Sequence, residues 1–330
     1  NYKLIDINNN NLTRFAFQKT EINLAKYSSK TTKTPKFQEI STQHLMGCLY
    51  KLNYNSFYSK IPNYFLCDKS AENDVDEELF KRLVKPFFIV FLSILLSSQR
   101  YLNIYLKYSL SFFATLGVVF FLILQPDIGQ TLLILFAWSI LIFISGINLI
   151  FLITLFFILI LAFSYLVLFI PKFGYIKSRI ISFFDSDTGT HNFQSDKAIE
   201  SIVSGGFFGK GIGEGTLKNR VPEAHTDYII SVISEEFGIV AIILILFLFL
   251  VFIHTVFRKV NLENNDRSKL ILVGCISLIL MQVMIHVGVN IRLFPTTGMT
   301  LPFISYGGSS IVGMSIISGI ILNLTKRKID

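Results

Sequence analysis

Residues 149–170 read LIFLITLFFILILAFSYLVLFI and stop at Pro171. No charged side chain interrupts this run. At a helical rise of about 1.5 Å per residue it is long enough to cross the hydrocarbon core of a bilayer. Its apolar residues do not alternate with polar ones, which excludes a strand of a lipid-facing barrel. Outward from it, further apolar runs occupy about 84–99, 108–124, 128–145, 232–257, 270–289 and 302–324. The expectation is an all-α fold: a polytopic integral membrane protein with about seven transmembrane helices.

Composition agrees. Of the 330 residues, 52% are hydrophobic and 16% charged, against roughly 25% charged in a globular chain. A soluble enzyme is excluded. The net charge of +8 might suggest nucleic acid, but 13 of the 30 basic residues lie within 1–85 and none between Lys107 and Lys172. Bases at the ends of apolar runs fit cytoplasmic loops of a membrane protein, not a groove for nucleic acid. Cys48, Cys67 and Cys275 have no metal-ligand spacing, and a Cys48–Cys67 disulfide stays open.

Residues 1–77 are polar and atypical, without sustained helical or strand period, and read as disordered or misjoined. A helix can begin within 73–82. The basic loops at Arg100–Lys107 and 257–269, and the tail 326–330, all fall on one side when spans alternate, which makes that side cytoplasmic. Residues 172–228, with seven basic and seven acidic residues, then form an extracytoplasmic loop. The same alternation puts 1–85 outside, against its charge, and suggests that spans are missing ahead of it.

The chemistry concentrates in the loops of that outer side. Gly205, Gly206, Gly209, Gly211, Gly213 and Gly215 fall within 204–215. They are either a tight loop between interfacial helices or backbone that approaches a ligand closely. A short surface helix is expected over 194–204. In Pro222-Glu223-Ala224-His225-Thr226-Asp227 a polar cluster meets the start of a helix. Asp227 can act as general base with His225 tuning it, and Thr226 or Asp227 can equally be an N-cap. Glu235 and Glu236 are costly in lipid and should face protein, either pairing with a base such as Arg292 or locking helices together. Pro295, Pro302, Gly307 and Gly308 break the backbone at membrane depth, beside the hydroxyls of Ser305, Ser309 and Ser310. Asp127, in Gln125-Pro126-Asp127, is a cap or a site residue. Arg179, Lys197, Lys210, Lys218, Arg220 and Arg292 are candidate partners for a phosphate head.

Three motifs in order then become specific: Gln125-Pro126-Asp127-Ile128-Gly129; the glycine run with Pro222–Asp227 and Glu235-Glu236-Phe237-Gly238; and Pro295–Ser310. Together they resemble the SEDS family (shape, elongation, division and sporulation) over roughly 78–325. Gly213-Glu214-Gly215-Thr216-x-Lys218 is closer to its cell-division branch than to its elongation branch. The resemblance implies a ten-span fold whose fourth to tenth spans are the seven here, with no counterpart for the first three in 1–77. It also implies a peptidoglycan glycosyltransferase of the inner (plasma) membrane, at the division septum, that polymerises lipid II and releases undecaprenyl diphosphate. Asp227 is the implied catalytic base, with His225 and Glu223 orienting it. Lys197, Lys218, Arg220, Arg292, Ser309 and Ser310 would hold substrate. Gly205, Gly206, Gly209, Gly211, Gly213, Glu235, Glu236, Pro295, Gly307 and Gly308 would shape the site. The resemblance names no certain cofactor and leaves a divalent cation such as Mg or Mn open. Implied partners are membrane lipid, a monofunctional class B penicillin-binding transpeptidase and other division proteins. A lipid II flippase or a non-catalytic scaffold is the alternative; a transport path would need deep polar residues, for which Gln282 and His286 are the main candidates.

Overall fold

The computed structural model describes residues 2–5, 12–15, 40–53, 72–98, 103–169, 173–184, 190–216 and 224–326. Two units are distinguished, 1–35 and 36–330. In the first, β1 (Tyr2–Ile5) pairs antiparallel with β2 (Leu12–Phe15). This departs from the disorder expected there. Each strand mixes β-branched and aromatic residues, and the asparagines at 8–11 between them suit a turn.

The second unit is all-α. It runs α1 (Thr42–Asn53), α2 (Glu72–Leu79), a π-helical turn (Phe80–Val84), α3 (Lys85–Ser97), α4 (Ile104–Leu124), α5 (Ile128–Ile144) and α6 (Leu149–Phe169). It continues through α7 (Gly174–Phe184), α8 (Thr190–Gly205), α9 (Ile229–Leu262), α10 (Asp266–Asn290) and α11 (Gly308–Thr325). All seven apolar runs are helical, but only five of these helices are long and apolar enough to cross a membrane: α4, α6, α9, α10 and α11. The other two apolar helices, α3 and α5, fall short of that length. α5 has 17 residues, and α3 has 13 because the helix ahead of it is charged and widened by the π turn. Cys48 is disulfide-bonded and Cys275 is a buried free thiol, while position 67 lies outside the described residues.

α10 sits at the centre, packed against α3, α5, α9 and α11. Its small residues let neighbours close in, as packing between membrane helices favours. A Cβ at Gly274 would stand 2.6 Å from Ile89, and one at Gly288 would meet the Phe294 ring at 2.2 Å. α4, α6 and α9 instead present Phe, Leu and Ile outward, an all-round apolar character that suits lipid.

α9 is interrupted at Gly238, whose φ of 79° leaves the helix. Such a break strands backbone groups that lipid cannot satisfy. The glycine loop after α8 satisfies them: Lys210 N–H donates to Glu235 C=O (2.9 Å) and Gly211 N–H to Glu236 C=O (3.0 Å). In return, Ile239 N–H donates to Gly206 C=O at 3.0 Å and Val240 N–H to Phe207 C=O at 3.4 Å. Contact this close needs missing side chains. A Cβ at Gly205 would lie 1.9 Å from the Ser234 carbonyl oxygen, and one at Gly209 would lie 2.2 Å from that of Glu236. Gly211 and Gly213 take positive φ with no such crowding.

Gly205→Ala should therefore push α8 off α9 and cost about 2–3 kcal/mol, the scale of an overpacked contact. Thermal unfolding of the detergent-solubilised protein would show this as a lowered Tm. An unchanged Tm would mean that the two backbones can separate freely.

Candidate active site

The polar face of α10 organises the site. Gln282, His286 and Asn290 recur every four residues and so lie on one stripe. Each is buried, and each holds a carbonyl of the irregular chain above it. Gln282 Nε2 donates to Thr300 C=O (2.9 Å), and His286 Nδ1 lies 2.6 Å from Met299 C=O. Only a protonated Nδ1 can make the latter bond, which fixes the tautomer. Asn290 Nδ2 donates to Asp227 C=O at 3.0 Å. The two deep polar residues that a transport path would need are thus engaged with loop carbonyls.

The Ala224–Tyr228 turn is fastened from the other side as well. Ser305 Oγ donates to Thr226 C=O (2.7 Å) and Tyr306 N–H to His225 C=O (2.9 Å). Ser305 Oγ also receives Leu301 N–H at 2.8 Å. Main-chain carbonyls of three successive residues, His225, Thr226 and Asp227, therefore fix the turn that carries the Asp227 side chain. That side chain is half-buried and lies against Gly298: its Oδ2 is 3.8 Å from where a Cβ of residue 298 would sit.

Gly298 opens onto a small pocket of about 30 Å³ lined also by Glu78, Lys81, Lys85, Gln130, Gln282, Thr300, Gly307, Ser309 and Ser310. The π turn and the helix on either side of it contribute Glu78, Lys81 and Lys85. Lys81 pairs with Glu77 and reaches Asp127 Oδ2 at 3.8 Å. The other Asp127 oxygen accepts Gln130 N–H at 3.0 Å, so Asp127 caps α5 between two residues of the pocket lining, Lys81 and Gln130. Ser309 donates to Glu78 and accepts from Arg82 Nε (3.0 Å). Lys85 Nζ donates to Gln282 Oε1 at 3.3 Å, and Gln282 also reaches Ser310 Oγ at 3.3 Å.

Burial sets the electrostatics. It raises the Asp127 carboxyl above the ordinary range, partly offset by Lys81. Glu78 rises for the same leading reason, again opposed by Lys81. Burial pulls Lys81 down, but Asp127, Glu77 and Glu78 together lift it above an ordinary lysine. Lys81 is thus the charge that makes three carboxyls tolerable in one place.

The expected residues divide accordingly. Ser309, Ser310 and Gly307 line the pocket, Asp227 lies against Gly298 of its lining, and Gly308 begins α11 beside it. Glu235 is fully buried and pairs with Lys210 (3.2 Å), also receiving Thr216 N–H at 2.8 Å. It locks the glycine loop instead of pairing with Arg292, which binds Asp196 at 2.6 Å. The Glu236 carbonyl holds the same loop. Lys197 pairs with Glu200 along α8. The His225 side chain is exposed, and Pro295 is half-buried at the loop start. Glu223, Lys218 and Arg220 lie outside the described residues. Sequence reasoning gave Lys81 and Lys85 no role in the site, although two lysines entering an apolar run are themselves a signal of interior pairing.

A family model described as "Cell cycle protein" (FtsW/RodA/SpoVE) matches residues 81–329. The probable peptidoglycan glycosyltransferase FtsW of Caulobacter vibrioides is 34% identical over 224 residues, covering 67% of this chain and 55% of that protein. Stage V sporulation protein E of Bacillus subtilis is 36% identical over 222 residues, covering 65% and 60%. The chain thus spans little more than half the length of these relatives. Among solved structures, a chain from a study of polymerization and crosslinking by a peptidoglycan synthase complex superposes with TM-score 0.63 at 24% identity, covering 89% of this chain and 85% of that one. The rod shape determining protein RodA of Thermus thermophilus superposes at 0.52 with 22% identity, covering 93% and 83%. At such identities the superpositions establish the fold.

Lys81→Met should destabilise the protein by about 3 kcal/mol, as breaking a buried ion pair does. Without Lys81 the folded-state pKa values of Asp127 and Glu78 climb further above their unfolded values. The loss is then full above those raised values and shrinks as pH falls and the carboxyls take up protons. Unfolding of parent and variant, compared at neutral and at acid pH, measures it. A difference that is constant or grows in acid would contradict this account.

Proposed function

Because the chain belongs to the FtsW/RodA/SpoVE family of cell cycle proteins, we propose that this multi-pass membrane protein polymerises lipid II into glycan strands during septal cell-wall synthesis. The observation that carries the reading is Asp227, fixed through its main chain at the edge of a pocket that holds lysines. The seven apolar helices serve as one membrane bundle, with 172–228 on the outer side. The substrate's polyprenyl tail lies in lipid while its sugar and diphosphate reach the pocket.

In this mechanism the acceptor sugar's 4-hydroxyl oxygen attacks the anomeric carbon of the lipid-linked donor. The new glycosidic C–O bond forms as the bond from that carbon to the diphosphate oxygen breaks. Asp227 takes the hydroxyl proton, and undecaprenyl diphosphate leaves with the bonding electrons. Lys81 and Lys85 offset the charge growing on the diphosphate, a role for fixed cations in a water-poor site. Lys218, Arg220 and Glu223 remain proposed contributors from the chain just ahead of Asp227. A divalent cation does not fit the described pocket: Lys81 already answers its carboxylates, and no group of three metal-ligating side chains occurs among the described residues. No step is routed through one.

The product strand needs crosslinking, so the proposed partner is a class B penicillin-binding transpeptidase within the division assembly. The solved synthase complex of the same fold joins polymerization to crosslinking.

Asp227→Ala should lower polymerisation of purified lipid II by about 10²–10⁴-fold, the usual worth of a general base. Its Tm should stay near the parent's, since the turn is held by backbone carbonyls. Glycan strands of normal yield from the variant would remove Asp227 from the mechanism.

A further inference from the structure

The glycine loop carries an apolar tip that the site does not use. Val203, Phe207, Phe208 and Ile212 are 72%, 73%, 85% and 79% exposed. Four large apolar side chains this open to water would be an expensive surface on a polar loop. Their depth follows from the backbone bonds that tie the loop to α9. Phe207 C=O accepts Val240 N–H and Gly206 C=O accepts Ile239 N–H, so the tip is level with the Gly238 break.

The other end of α9 sets the scale. Arg258 and Lys259 close its apolar stretch. Twenty residues separate Arg258 from Gly238. At the helical rise they span about 30 Å, the full hydrocarbon thickness. The Gly238 level is therefore the opposite boundary between acyl chains and headgroups. Exposed Phe237, Val240, Ile243 and Leu244 on α9 continue the apolar surface from the tip toward the bilayer centre. The Lys210–Glu235 pair stands about two residues beyond that boundary, on the headgroup side, where a lysine is at home.

From this placement we infer that the Val203–Ile212 tip is a membrane-inserted anchor. Its aromatic side chains sit among the outermost acyl carbons, and its occupant is phospholipid. It holds the far end of α8 and the glycine loop at a fixed depth against the α9 break. Aromatic side chains favour this depth, and a partly buried amphipathic element binds there in proportion to its apolar area. The inference needs only the membrane reading and is independent of the polymerase reading, because its test does not measure activity.

Phe208→Trp provides the probe. The full chain would be reconstituted in vesicles of phosphatidylethanolamine and phosphatidylglycerol, doped with phosphatidylcholine brominated either near the head or near the end of its acyl chains. Trp138, the single native tryptophan, is buried and bonded to Ser111, so the parent's signal subtracts. The expected result is strong quenching by shallow bromines, weaker quenching by deep ones and protection from aqueous iodide. Asn264→Trp, in the exposed connection after α9, should show iodide quenching several-fold greater than that at 208. Iodide quenching at 208 equal to that at 264 would overturn the inference by placing the tip in water. Shielding from both bromine and iodide would overturn it too, by placing the tip under protein. Should Phe208→Trp fail to fold, Ile212→Trp carries the same expectations.

Discussion

A backbone that leaves regular helix inside or beside a bilayer must find its hydrogen-bond partners in protein, since acyl chains offer none. This constraint governs both breaks that shape the molecule. At Gly238 of α9 the glycine loop donates to two stranded carbonyls and accepts from two stranded amides. Between α10 and α11, Gln282 and His286 hold Thr300 and Met299 by their carbonyls, and Asn290 does the same for Asp227 just ahead of α9. The candidate base is therefore positioned by an ordered inner helix, and not by the loop that contains it.

The same scarcity of water explains the pocket. Glu78 and Asp127 are buried enough to resist ionisation, and Lys81 between them answers their charge. A cluster of this kind is weak evidence for stability, because each ion gives up its hydration. What it supplies is preorganised charge, fixed in the pocket wall by Lys81 and its carboxylate partners. The π turn matters here: it carries Lys81 and Arg82 where α11 approaches closely, with the Gly313 position 2.6 Å from the Lys81 carbonyl oxygen.

Much of this was legible in the chain. The apolar runs marked every long helix, and the burden of two acids in a membrane helix foretold that Glu235 must face protein. Pro295 to Ser310 announced a broken backbone, and Asp127, left open between cap and site, caps α5. The glycines read equally as packing or as ligand cradle; the clash distances at Gly205 and Gly209 show packing for those two. The N-terminal hairpin and α1 were not legible, because short marginal elements leave little periodicity to read; the disulfide at Cys48 was left open by the cysteine spacing.

The sequence by itself determined that the chain lives in a membrane and which residues could not face lipid, because the cost of a charge or an unpaired amide there depends only on residue type and run length. Tertiary structure alone decided who answers each of those groups. Lys210 answers Glu235 and Asp196 answers Arg292, while Lys81 of the π turn meets Asp127 and Lys85 of α3 meets Gln282 across the bundle. Pairing of this kind is a matter of distance between helices, which no spacing along one strand of chain encodes.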